Sequence, residues 1–353
     1  MPIPFVIDIG DVPPKTAAGQ IIHLSTPVAL SLYCESEIIT VEPSEIKSGE
    51  SWVRIRAHPQ YLEDGILIFT HIQLQSPDSV VKIAVRASVK AGADARLPSI
   101  QVPQDAATLM QAYDMASPND CLLIDSGTWE AGLVLDKPIV LRAKAGAHVI
   151  LRGGDRPALT VRANVGLKNL SLLGEGIDCT LLCESGKVEM TNGKITSPQG
   201  HGIQVTGTAL SELTDVDISD CRGYGIELLD RASVSLTACQ LHHNRQSNLR
   251  SGPETHVVAL RSGFQRSKSG SGVWGQGSIS IKDCSIFGNA HYGLFLDGNA
   301  QALVFGGTFD QNGRAAVRAA GTSSITMDKV RFPSGENASN VTADTGTMVV
   351  TVL

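Results

Sequence analysis

From Val165 to Phe332 the apolar residues recur in a pattern copied about eight times with a period of 22 or 23 residues. One column reads Leu172, Ile195, Ile218, Leu241, Phe264, Ile286, Phe309, Phe332. A second reads Val165, Val188, Ser211, Val234, Val257, Ile279, Ala302, Ile325, and a third Leu167, Met190, Leu213, Leu236, Ala259, Ile281, Val304, Met327. Within a unit the apolar positions fall at i, i+2, i+5 and i+7, as in Val234, Leu236, Cys239 and Leu241. A spacing of two is a strand with one buried face, and the three-residue step is a corner between two short strands. A third strand follows a turn at 202–205 and 225–228, and Leu249, Leu294 and Val317 continue its column. Three short strands and three turns per unit predict one coil of a parallel β-helix, whose coils stack because none can bury its own apolar face. A propeller blade needs roughly 40 residues. The Leu-x-x-Leu-x-Leu frame of a leucine-rich repeat and the 3.6 period of a helical repeat are both absent.

Residues 1–95 lack that period and alternate instead, in segments beginning at Phe5, Gln20, Val28, Ile38, Trp52, Gly65 and Val80. About seven short strands between Pro, Gly, Ser and Asp turns predict a β-sandwich of immunoglobulin (Ig) type without a Cys…Trp…Cys frame. Residues 90–98, rich in Ala with Gly and Pro, read as a linker to a second domain at 96–353. An amphipathic helix is expected at about 103–116, with Ala106, Leu109, Met110 and Tyr113 on its apolar face and an Asp near its start. Its place just before the solenoid makes it a cap over the first coil. Asn244, Asn289 and Asn312 each stand five residues before a third-strand core position and predict a structural turn ladder.

These motifs resemble known families. The repeat, with turns such as Asn289-Ala-His-Tyr-Gly-Leu294, is similar to the pectate-lyase-like superfamily of right-handed parallel β-helices. It also resembles carbohydrate-binding and sugar-hydrolase repeats, the periplasmic copper-maturation type among them. The segment from Asp125 to Leu141, with Gly-Thr-Trp and Lys-Pro-Ile-Val-Leu, resembles the first coil of many pectin-lyase-like proteins. Residues 8–14, 41–50 and 85–87 resemble bacterial Ig-like modules, which bind other proteins or act as spacers. The resemblance implies an all-β chain: an Ig-like module, a capping helix and about ten solenoid coils.

Composition narrows the function classes. A formal net charge of −6 without a Lys/Arg run argues against nucleic-acid binding. No apolar run reaches about 18 residues, so no membrane span is expected. No signal peptide is seen at the N-terminus, and seven Cys without CxxC pairs fit a reducing, cytoplasmic setting. Cys239 and Cys284 share a column with Leu170, Val216 and Val330 and read as small buried hydrophobes. Sequons at Asn169, Asn337 and Asn340 carry no weight without a signal.

Candidate chemistry lies beside the third-strand column, where outward positions stack as Gln204, Glu227, Arg250, Phe295 and Arg318, flanked by Tyr224 and Tyr292. Such a row, about 4.8 Å per step, suits a sugar chain. The register slips near 270–275, which leaves the direction of Trp274 open. Gly200-His201-Gly202 resembles the catalytic segment of polygalacturonases, but the Asn-x-Asp, Asp-Asp and Arg-x-Lys companions are absent, and His201 shares a repeat column with Tyr224. Asp215, Asp217 and Asp220 read as an outer strand face, His242 and His243 as solvated turn residues, and 265–272 as a mobile basic loop. No metal or other cofactor is expected. Two readings follow. The first is a non-catalytic binding or scaffold protein that presents the β-helix to a glycan or protein partner, with self-association through an open C-terminal coil. The second is a carbohydrate-active enzyme (lyase, hydrolase or epimerase) with Glu227 as base and Arg250 as charge stabiliser.

Overall fold

The computed structural model describes residues 6–12, 18–26, 29–34, 36–57, 67–76, 80–89, 99–118, 120–333, 341–344 and 348–352. The expected linker at 90–98, the end of the first Ig-like motif at Pro13 and Pro14, and the sequons at Asn337 and Asn340 lie outside the described residues. The chain divides into two compact units, Met1–Ala95 and Arg96–Leu353.

In the first unit the alternating segments form two sheets. One has five strands, in the order Val6–Val12, Val80–Val89, Leu67–Gln75, Leu30–Cys34, Glu45–Ile46; the other joins Ala18–Thr26, Gly49–Ala57 and Ile39–Glu42. Their inner residues share one core, with Leu32, Ile68, Ile72 and Ile83 from the larger sheet and Ile39, Val53 and Ile55 from the smaller. Val6–Val12 pairs in parallel with Val80–Val89, and the remaining pairings are antiparallel.

The second unit is the solenoid that the columns predict. Each coil contributes strands to three walls, and every pairing between coils is parallel. The third wall is a ten-stranded sheet running from Leu133–Leu135 to Val341–Ala343. The column positions are the core: Leu172, Ile218, Phe264 and Phe309 are buried, as are Leu167, Leu213 and Val304. Cys239 and Cys284 are buried there too, and desolvation pushes their thiols up to about 11 and about 12. At such values almost no thiolate forms near neutral pH, so these groups act as small hydrophobes.

The corners repeat as strictly as the core. Positive φ recurs at Asn169, Asn192, Asp215, Ala238, Arg261, Asp283, Gly306 and Lys329, where the first wall turns into the second. A second series runs Asp220, His243, Arg266, Gly288, Gln311. Asn, Asp and Gly adopt this left-handed conformation readily, whereas Ala, Arg and Lys are strained in it. Asp215 and Asp220 are therefore corner residues and not one strand face. In the second series the left-handed residue is the one before each Asn of the turn ladder. Asn244, Asn289 and Asn312 instead turn inward, 0 to 3 % exposed, and bond along the stack. The Asn289 side chain accepts from the Ser267 amide (3.1 Å) and from Asn248 (3.1 Å), and donates to the Phe264 carbonyl (2.9 Å) and to Asn312 (2.9 Å).

The helix is shorter than expected, Leu109–Met115, because the Thr108 hydroxyl caps it by accepting from the Gln111 amide at 3.2 Å. Residues 103–105 form a turn in which Asp105 accepts from the Gln101 amide. Leu109, Ala112 and Tyr113 are buried, while Met110, expected on the same face, is half exposed. Lys137, from the Lys-Pro-Ile segment, donates to the carbonyls of Tyr113 (2.6 Å) and Ala116 (2.5 Å), which fastens the helix C-terminus to the first coils. Among the described residues, no helix is long and apolar enough to cross a membrane.

Candidate functional site

The site rests on the outer face of the ten-stranded sheet, where alternate residues of each three-to-five-residue strand point away from the core. The hydrogen-bond register runs Gln204, Glu227, Arg250, Trp274, Phe295, Arg318, Thr342. Upstream it begins with Val134, Thr160 and Leu182. All five ladder residues expected from the sequence stand in this row. The row also resolves the register slip, since Trp274 points outward and fills the rung between Arg250 and Phe295. From Phe264 to Val273 is a step of nine residues, where Leu241 to Leu249 is a step of eight; Val273 to Ile279 is then a step of six, where Leu249 to Val257 is a step of eight.

At one end the polar rungs are bonded to one another. Glu227 is only 7 % exposed, and both its oxygens are engaged. Oε1 accepts from Arg250 Nη1 at 2.5 Å, and Oε2 accepts from Gln204 Nε2 at 2.9 Å. Arg250 then lies between two rings, its guanidinium carbon 5.6 Å from the Tyr224 centroid and 5.2 Å from that of Trp274. Both are cation–π distances. Trp274 stacks on Phe295 (6.1 Å), Phe295 meets Tyr292 (5.4 Å), and the Arg314 guanidinium lies over Tyr292 (5.7 Å).

His201 is not a free repeat position, because the fold brings it against the ladder. Its Nδ1 accepts from the Tyr224 amide at 2.9 Å, its ring stacks on Tyr224 at 5.3 Å, and its Nε2 faces Glu227 Oε2 at 3.9 Å. Gly223 leaves room for the ring, since a Cβ there would stand 2.3 Å from Nδ1. Burial lowers the imidazole pKa, partly opposed by the Glu227 charge and reinforced by Arg250. Neutral His201 thus carries its proton on Nε2. Burial also raises the Tyr224 phenol.

Beyond the polar rungs opens a groove of about 450 Å³. Tyr224, Trp274, Tyr292 and Phe295 line it with rings, Arg314, Arg318 and His291 with cationic or titratable nitrogen, and Ser247, Ser269 and Ser271 with hydroxyls. No Asp or Glu is among its described lining residues. Burial, followed by the charge of Arg314, lowers the His291 pKa. Arg314 and His291 were not visible as site residues in the sequence. They belong to the turn rim, where Arg314 N donates to the His291 carbonyl at 2.8 Å, and only the coil geometry turns that rim toward the ladder.

Two expectations elsewhere are corrected. His242 is not simply solvated: its Nε2 bonds Asp217 Oδ2 at 2.8 Å, and its Nδ1 stands 2.7 Å from His243 Nδ1. The basic stretch at 265–272 is a regular turn of the stack, with the Lys268 and Ser269 amides bonded to the Asn244 and Arg245 carbonyls at 2.8 Å each. Among the described residues, no group of three or more His, Cys, Asp or Glu is arranged to hold a metal ion.

No curated protein sequence matches the chain. Among solved structures it is similar to the pectate lyase Pel9A at 13 % identity, covering 71 % of this chain and 80 % of that one with a TM-score of 0.47. It is also similar to the catalytic unit of a thermostable GH87 α-1,3-glucanase from Streptomyces thermodiastaticus strain HF3-3, at 11 % identity, covering 96 % and 89 % with a TM-score of 0.41. The Agl-KA catalytic domain aligns at 9 % identity, covering 96 % and 90 % with a TM-score of 0.40. The family model described as "Right handed beta helix region" matches residues 159–332. The solenoid that carries those residues is a right-handed parallel β-helix.

Proposed function

We propose that this chain is a non-catalytic glycan-binding protein whose ligand lies along the ten-stranded face, over Trp274 and Phe295. The observation that carries this reading is the groove lining: four aromatic rings, hydrogen-bonding side chains, and no carboxylate among the described residues. Amphipathic rings bury the apolar faces of sugars while neighbouring polar groups bond their hydroxyls. The rungs repeat at about 4.8 Å, so successive sugar units meet successive rungs. Glycoside hydrolysis needs two carboxylates flanking the scissile bond. Glu227, the acid singled out by the sequence, has both oxygens occupied by Arg250 and Gln204. Its bonding favours a structural joint over the base of a lyase, hydrolase or epimerase. Residues 1–95 are read as an Ig-like module that spaces the solenoid or binds a protein, a reading supported by two sheets around one core.

The test is calorimetric titration of the full chain against a polysaccharide panel, with reducing-end release assayed in parallel. Saturable binding that is lost in Trp274→Ala, without release, supports the proposal. Release abolished by Glu227→Gln or Arg250→Ala replaces it with the enzyme reading.

A further inference from the structure

We infer that the ligand is a mixed glycan, neutral along the aromatic rungs and carrying one acidic group where the groove meets Arg314 and His291. This inference rests on the glycan-binding reading above. Three arginines adjoin the groove, and they differ in how far their charge is already met. Arg250 is held by Glu227 at 2.5 Å, and Arg318 is paired with Asp344. Arg314 forms no ion pair among the described residues and is exposed. Its guanidinium lies over the Tyr292 ring at 5.7 Å, a contact that engages none of its N–H donors in an ion pair and leaves them for a ligand. His291 lines the same groove beside it. An unpaired guanidinium next to an imidazole, in a groove without described carboxylates, suits a carboxylate or a sulfate ester through charge-assisted hydrogen bonds.

The same geometry limits the number of acidic groups. The Trp274 and Phe295 rungs present apolar rings and no free cation, and the charge of Arg250 beyond them is already met by Glu227. A chain acidic at every unit would lay unpaired charges on those rings. The net charge of −6 also disfavours a polyanion as a whole.

The experiment is an array of neutral, singly acidic and all-acidic oligosaccharides of matched length, probed with the full chain and quantified by calorimetry. The acidic arms are split between uronic acids and sulfate esters to tell the two sources apart. The expected result is a preference of about ten-fold or more for a singly acidic chain over its neutral counterpart. Arg314→Gln, a surface change that leaves the core untouched, is expected to erase that preference, read as the ratio of acidic to neutral affinity measured on the same variant. Trp274→Ala is expected to weaken both. Equal binding of neutral and acidic chains overturns the inference while leaving the glycan reading in place, and so does a preference that survives Arg314→Gln. Tightest binding by all-acidic chains overturns the single-acid assignment in the same way. Binding to no oligosaccharide overturns both.

Discussion

Replacing Glu227 tests whether the polar rungs are a structural joint. The carboxylate is 7 % exposed and accepts from Arg250 and Gln204, while the Arg250 side chain remains 27 % exposed. Breaking a fully buried ion pair by removing one partner costs about 3–5 kcal/mol, whereas an exposed pair contributes about 0–1 kcal/mol. The half-open side of Arg250 moves the expected cost of Glu227→Ala down to about 2–3 kcal/mol. The stranded Gln204 donor adds about 0.5–1 kcal/mol at most, because that side chain is itself only half-buried. The double variant Glu227→Met/Arg250→Met removes both charges, and most of the loss is expected to return. Urea unfolding of the full chain, followed by far-ultraviolet dichroism with the m-value compared between variants, reads the effect. A loss below about 0.5 kcal/mol for Glu227→Ala, or a double variant less stable than the single one, refutes the reasoning.

Other outcomes follow from the stack and its corners. Ala238 sits at φ 55 in a corner column otherwise rich in Asn, Asp and Gly, so Ala238→Gly is expected to stabilise by about 0.5–1 kcal/mol, seen as a higher urea midpoint. Asn289→Ala leaves buried partners on four sides and is expected to cost about 3 kcal/mol by the same assay. Burial lowers the His201 pKa, so the unfolded chain takes up that proton more readily than the folded one. Stability should therefore fall as pH drops below the ordinary imidazole value of about 6.5, and His201→Gln should flatten that slope between pH 7.5 and 5.

The core of the solenoid was legible because each coil repeats one apolar pattern, and the stacking that buries it forbids drift. Leu172 to Phe332 reads as a column for that reason. The site was legible as far as the period held. Gln204, Glu227 and Arg250 follow at intervals of 23, but the nine-residue step before Val273 and the six-residue step after it break the count at Trp274. The step of 24 from Arg250 to Trp274 is followed by one of 21 to Phe295, so periodicity reports a slip without saying which way the side chain points; the hydrogen-bond register decides it. Arg314 and His291 belong to turns, whose outward direction depends on how a coil closes and not on alternation. The Asn column was legible as a structural ladder because its side chains turn inward and bond from coil to coil, while the left-handed residue is the one before each Asn. The helix began late because Thr108, and not an upstream Asp, supplies the cap.

The central claim is that the aromatic groove binds a glycan without cleaving it. Titration of the full chain and of Trp274→Ala with the polysaccharide panel, alongside reducing-end release, tests that claim most directly. The account predicts saturable binding that falls about ten-fold or more in Trp274→Ala, a loss in keeping with removal of a large stacking ring, and no release by either protein. Release of new reducing ends by the parent chain, or equal binding by Trp274→Ala, would contradict it.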